Sequence, residues 1–338
     1  MNADLVATVV KMAVVLLVFF QVAPIMNWVE RRGSALIQDR LGPNRVGPWG
    51  IFQAVADGIK FLFKEDVTPA AADKPLYLMA PALALLPAFT TLVVIPFGPD
   101  LTVGGRLHRL VIADVDTGVL LYLAIASLGV YSLVMAGYAS NNKFSLMGAM
   151  RASAQLISYE LAMAIAVLAA VIPVGSFHLG DVVQYQRDHL WTFLPQILGF
   201  MVFLIAAFAE TNRLPFDLPE AESELIAGFH TEYSAMRFAA FFMAEYTNMA
   251  ALSALGVTLY FGGWSLPGLD LHGWTGAVIG LLVLMTKVAF CMVVFVWIRW
   301  TFPRFRYDQL MRLGWKVLLP LAIANLILVA VMTLAGWL

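Results

Sequence analysis

Eight apolar stretches long enough to cross a lipid bilayer fill most of this chain. A bilayer core asks for about 20 mainly apolar residues per helical span. Segments at about 5–29, 76–97, 118–138, 154–174, 192–210, 238–261, 274–298 and 316–336 meet that requirement. With 61% hydrophobic and 13% charged residues, the 338-residue chain has too much apolar surface for an ordinary soluble fold. The expected fold is all-α: one polytopic membrane domain over 1–338, with about eight transmembrane helices and an amphipathic interfacial helix in the first cytoplasmic loop.

The basic residues orient these spans. Of the 21 lysines and arginines, 16 fall in loops one, three, five and seven or their flanks, and three (Arg106, Arg109 and Arg187) in loops two, four and six. Lys11 and Lys287 lie inside spans. The positive-inside rule then predicts cytoplasmic odd loops and both termini outside. Because Glu30-Arg31-Arg32 follows the first apolar run, that run reads as a retained span and not a cleaved signal.

Several redox classes drop out. A lone cysteine, Cys291, excludes a disulfide within the chain and any multi-cysteine iron–sulfur site. All five histidines fall in expected loops, which leaves no bis-histidine haem between spans.

The cytoplasmic loops carry most of the information. Loop one, 30–75, is too long for a simple connection. Within it Phe52, Val55, Ala56, Ile59, Leu62 and Phe63 recur at helical spacing, opposite Gln53, Asp57, Lys60 and Lys64. This predicts an amphipathic helix at the membrane surface or docked as a seal on the bundle. Loop five, 210–237, is acidic: Glu210, Asp217, Glu220, Glu222, Glu224 and Glu232 accompany Arg213. Asp217-Leu218-Pro219-Glu220 has the pattern of a capping box, so a capping role explains those two acids as well as a functional one does. Glu220 and Glu224 stand four apart, where ionised carboxylates repel. A solvated face remains open for the exposed members. Loop seven, 299–315, is basic.

Charges inside spans are costly in lipid and normally face a partner or a polar cavity. Glu160 is expected near the cytoplasmic end of span four. Glu245, eight residues beyond Arg237, is expected about 12 Å deep, and Lys287, twelve before Arg299, about 18 Å deep. A structural salt bridge would explain one pair; the series fits a polar path of carboxylates leading toward a central lysine. Lys11 can snorkel to the outer surface.

Three strings, ERRGSALIQDRLGPNRVGPWGIFQAVADGIKFLFKED (30–66), AETNRLPFDLPEAESELIAGFHTEYSAMRF (209–238) and RFRYDQLMRLGWKVLLP (304–320), resemble the cytoplasmic signatures of the H-subunit family of NADH-quinone oxidoreductase, respiratory complex I. The resemblance spans the chain, but loops two, four and six carry no matching motif. It implies a multi-pass protein of the bacterial inner membrane that helps form a quinone chamber and couples quinone reduction to proton translocation. Quinone would be the substrate, with FMN and iron–sulfur clusters only in partner subunits. A hydrophilic quinone-reducing arm would sit on the cytoplasmic loops, small membrane subunits and lipid would lie alongside, and no nucleic acid is expected. By the same resemblance Glu30, Arg31, Asp57 and Lys60 would border the quinone passage. Glu160, Glu210, Glu220, Glu222, Glu224 and Glu245 would form the acidic path, with Arg213 as their charge partner; Lys287 joins that path on its depth alone. Two alternatives stay open. A homologous subunit of an energy-converting hydrogenase would keep the path and serve another redox arm. A stand-alone transporter would often show internal repeats, and none is evident here.

Overall fold

The structure, a computed structural model, describes residues 3–103, 106–219, 222–269 and 271–337. Helices α1 (Ala3–Phe20) and α2 (Val22–Ile37) are nearly continuous, followed by α3 (Gln53–Phe63) and α4 (Lys74–Thr90). A two-stranded antiparallel ribbon, β1 (Leu101–Val103) and β2 (Arg106–His108), pairs Leu101 with His108. Next come α5 (Gly118–Ala126), α6 (Leu128–Ala139), α7 (Lys143–Val171), α8 (Leu179–Asp188), α9 (Ile197–Glu210) and α10 (Glu222–Leu225). The chain finishes with α11 (Ala235–Tyr260), α12 (Gly273–Thr301), α13 (Tyr307–Arg312), a π-helical turn at Leu313–Leu318 and α14 (Leu319–Leu334).

Among the described residues, six helical runs are long and apolar enough to cross a membrane: Thr8–Ile37, Lys74–Val94, Gly118–Ala139, Lys143–Val171, Gly273–Thr301 and Tyr307–Leu334. The protein is an all-α membrane protein. The other two expected spans are also helical but differ in kind. Helix α9 is apolar yet only 14 residues long, and the 26-residue α11 is buried almost continuously from Tyr246 to Tyr260. A helix wrapped by other helices needs no lipid-facing apolar stripe, so its composition understates its burial.

Helix α7 is the hub, packed against α6, α9 and α14, while α11 packs against α4 and α12. Small side chains make this possible: Ala152, Ala162, Ala166, Ala169 and Ala170 of α7 are fully buried. Gly137 of α6 shows how close the helices run, since a Cβ there would lie 2.3 Å from that of Ala149. Leu17, Leu282, Phe290 and Ile327 stay exposed on the perimeter, as lipid contact requires.

Several boundaries depart from the sequence expectation for local reasons. Helix α1 breaks at Gln21 because Pro24 has no N–H to donate to the carbonyl of Phe20. Helix α2 continues through the charges, so Glu30 and Arg31 ride on a helix and not in a loop. Helix α7 starts at Lys143, eleven residues before the apolar run, with the Asn142 side chain accepting from the Phe144 N–H. Leu218 and Pro219 form a turn, and Asp217 accepts from Arg304 Nη2 at 2.8 Å; the expected capping box from Asp217 to Glu220 falls partly on residues not described. Glu220 lies outside the described residues.

Loop five is folded into the bundle. Gln155 of α7 donates to the carbonyls of Ala209 and Phe216, both at 2.8 Å, and Ser145 donates to that of Phe229. Helix α3 is the opposite case. None of its residues is buried, and Val55, Ile59, Leu62 and Phe63 expose their side chains.

Candidate functional site

Four elements converge on a buried charge cluster. Helix α2 supplies Glu30, the turn after α9 supplies Arg213, α11 supplies Glu245 and Tyr246, and the last turn of α12 supplies Arg299. The Glu30 carboxylate takes three donors. Arg213 Nη1 reaches Oε2 at 3.0 Å, Tyr246 Oη reaches Oε2 at 2.7 Å, and Arg299 Nη1 bonds to Oε1. Arg213 also pairs through Nε with Glu245, and its guanidinium stands 4.4 Å from the centroid of the Tyr246 ring. Glu30 and Arg213 are buried.

Two acids thus face two arginines with little access to water. The formal charges cancel only while both acids are ionised. Adding a proton to either carboxylate, or charge nearby, therefore unbalances the whole cluster. Arg213 Nη2 is buried without a hydrogen-bond partner, so the guanidinium has donor capacity in reserve.

Glu245 also faces a cavity of about 80 Å³, room for several water molecules, whose wall includes Glu210, His230, Thr91 and Ser132. Glu210 is buried, and its Oε2 makes no hydrogen bond. Glu160, half-buried on α7, lies near enough to repel it. His230 is buried in loop five between the edges of Phe229, Phe238 and Phe242. Burial pushes its imidazole down to about 4, so it is neutral at physiological pH.

The remaining sequence candidates distribute unevenly. Arg31 on α2 pairs with Asp57 on α3 at 2.9 Å, adjoining the cluster through α2, and Gln53 donates to the same Asp57. Lys60 is exposed on α3, 5.8 Å from the Phe61 ring. Glu224 is exposed and pairs with Arg151 at 2.6 Å. The Glu222 side chain lies outside the described residues. Lys287 is not brought to the acids at all. From the middle of α12 its ammonium donates to the carbonyls of Phe261, Gly263 and Ser265 at 2.7–2.9 Å, beside the Trp191 ring. It closes off the carbonyl end of α11, where a cation complements the helix dipole.

Sequence alone does not mark Tyr246 and Arg299 as cluster members. Tyr246 adjoins Glu245, and Arg299 is the last basic residue of an apolar run, so both carried only weak signals. In the sequence His230 is distinguishable only as a loop histidine.

Comparisons with known proteins bear on this arrangement. A family model described as NADH dehydrogenase matches residues 10–330. The chain is similar to the first of the NADH-quinone oxidoreductase H subunits of Geobacter metallireducens, with 47% identity over 334 residues, 99% of this chain and 97% of that one. It is 49% identical to the NADH-quinone oxidoreductase H subunit of Protochlamydia amoebophila over 315 residues, 93% and 94% of the two chains. With the first such H subunit of Cytophaga hutchinsonii it shares 47% over 310 residues, 91% of each.

Proposed function

Since the chain belongs to the H-subunit family of NADH-quinone oxidoreductase, a family of membrane subunits of complex I, we propose that it helps form the quinone chamber and couples quinone reduction to proton translocation. Quinone enters along α2 and α3, past Arg31, Asp57 and Lys60, with the exposed apolar face of α3 toward the bilayer or the quinone tail. Reduction draws protons toward the chamber and changes the charge felt by Glu30. The cluster passes that change to Glu245 through Arg213, and from there it reaches Glu210 and Glu160 across the cavity. Lys287 has no part in this path, and Glu224 acts as a surface tie.

The observation that carries the reading is the cluster itself, since it joins α2, next to the amphipathic helix, to the acid-lined cavity by direct charge contacts. The chain's own groups do this electrostatic work. The flavin and the iron–sulfur clusters supply electrons from partner subunits, which agrees with a single, half-buried cysteine in α12.

The same reading gives eight spans, α9 and α11 included, in a bacterial inner membrane, with odd loops cytoplasmic and both termini outside. Its support is the pattern of side-chain contacts. Loop one meets loop five through Arg237 and Asp66, loop three meets five through Asn142 and Glu232, and five meets seven through Asp217 and Arg304. Loops two and four meet separately, through Asp114 and His178. A hydrophilic partner subunit then covers the odd-loop end.

A photoreactive quinone analogue tests the chamber. It should label peptides from 30–66, and excess quinone should compete. Labelling confined to α12 and α14 would overturn this passage.

A further inference from the structure

We propose that His230 is a proton relay between Glu245 and Glu210, an inference that rests on the coupling role given to those two acids. The three side chains line one cavity but come from three separate elements: α11, α9 and the tight turn Gly228–His230. No hydrogen bond to either ring nitrogen of His230 is formed among the described residues. The contrast with His178 is instructive, since both nitrogens of that ring are engaged by carboxylates. For packing alone an aromatic hydrocarbon ring would serve as well, since the imidazole nitrogens add no hydrogen bond to the fold. Phe229, Phe238 and Phe242 hold the ring edge-on, with centroids 4.8, 5.2 and 6.2 Å away. The cage fixes the ring and leaves the cavity as the outlet for its nitrogens.

The charged groups on the cavity wall are Glu210 and Glu245. Thr91, in the turn that follows α4, and Ser132 of α6 complete the polar wall, and α7 contributes Leu156. Among the described residues no lysine or arginine lines this wall. Being neutral, the imidazole presents one acceptor and one donor nitrogen, the arrangement a relay requires. Protonated Glu245 gives its proton, through cavity water, to the acceptor nitrogen, and the opposite N–H gives its proton to the Glu210 carboxylate. One N–H bond forms as the other breaks, and one proton has moved from Glu245 to Glu210. The ring is left in its other tautomer, and cavity water resets it by taking the proton from one nitrogen as it gives one to the other.

The test uses the assembled complex in membrane vesicles, with His230→Gln, His230→Phe and a Glu245→Gln control. The relay predicts that both histidine variants oxidise NADH normally with an artificial acceptor. Their quinone-linked pumping should fall by about tenfold or more, short of the full effect of losing a general acid–base because water partly substitutes. In His230→Ala, added imidazole should restore pumping, and a non-titrating molecule of similar size should not. Normal pumping in His230→Phe would overturn the relay and leave a space-filling role. Should His230→Phe not assemble, His230→Asn, smaller than imidazole, decides the same question. The two levels of failure separate: if Glu245→Gln pumps normally the coupling path itself is wrong, whereas a defective Glu245→Gln beside a normal His230→Phe removes only the relay.

Discussion

The two ends of the bundle both carry ion clusters, and they are built on opposite principles. At the odd-loop end Glu30, Arg213, Glu245 and Arg299 are withdrawn from water, share donors and acceptors, and open onto an acid-lined cavity. At the even-loop end Asp114 ties Arg109 to His178, whose other nitrogen meets Asp181 at 3.2 Å, with Ser176 on the same carboxylate. Lys11 of α1 joins in by donating to the carbonyls of Arg109 and Val111. This second cluster is partly exposed, and its contacts staple loop two to loop four. Exposure makes the difference. A charge network shielded from water transmits a perturbation over its full length, whereas one open to solvent is screened and serves as a local clasp.

Charge deletions should expose this contrast most sharply. Replacing Arg213 with methionine leaves two buried acids facing Arg299 alone, and removing one partner of a buried pair costs about 3–5 kcal/mol. Loss of assembly or a large drop in thermal stability of the complex is the expected result. Arg109→Met should cost less than about 1 kcal/mol, because its ion pair is open to solvent. Comparable losses at the two ends would break the comparison.

The clasp should respond to pH. Burial alone would lower the His178 imidazole, but hydrogen bonds and charge from Asp114 and Asp181 outweigh it, and the group ends up raised. Burial likewise pushes Asp114 up, and His178 and Arg109 more than reverse that, leaving it lowered. The raised histidine contributes stability that is complete below about pH 6.5 and is lost as pH rises through its folded value. The lowered aspartate contributes above about pH 4 and loses its share as pH falls through its folded value. Hydrogen-exchange protection at 109–115 and 176–182, taken relative to the intrinsic rate at each pH, should therefore be greatest between those limits and fall on either side. In His178→Gln the alkaline limb should vanish.

The smallest effect belongs to Glu224→Gln. This exposed partner of Arg151 should change stability by less than about 0.5 kcal/mol and leave quinone reduction close to normal. A severe coupling defect would move Glu224 from the surface into the path.

The helical membrane fold was legible because apolar runs of span length have few other uses. Helix ends were less so. Glu30-Arg31-Arg32 reads as the start of a loop, yet α2 carries these residues inward for contacts with α3, α11 and α12 that no local pattern encodes. The strands 101–103 and 106–108 and helix α8 leave no trace in the sequence pattern because they are short and lie in loops that carry no motif. At the site, Glu30, Arg213 and Glu245 stood out by charge and depth. Their meeting could not be read, since they are far apart in sequence and only packing joins them. Lys287 shows the limit of depth arithmetic: its Cα lies midway along α12, but its flexible side chain reaches the carbonyls after α11.

Proton translocation per quinone reduced, measured side by side for Glu245→Gln and Asp114→Asn in fully assembled complexes in sealed vesicles, tests the central claim most directly. The buried cluster is predicted to set coupling, so Glu245→Gln should lose quinone-linked pumping while still oxidising NADH with an artificial acceptor. Glu245→Asp should be milder, and Asp114→Asn should pump normally. Normal pumping in Glu245→Gln, or an equal loss in Asp114→Asn, would contradict the account.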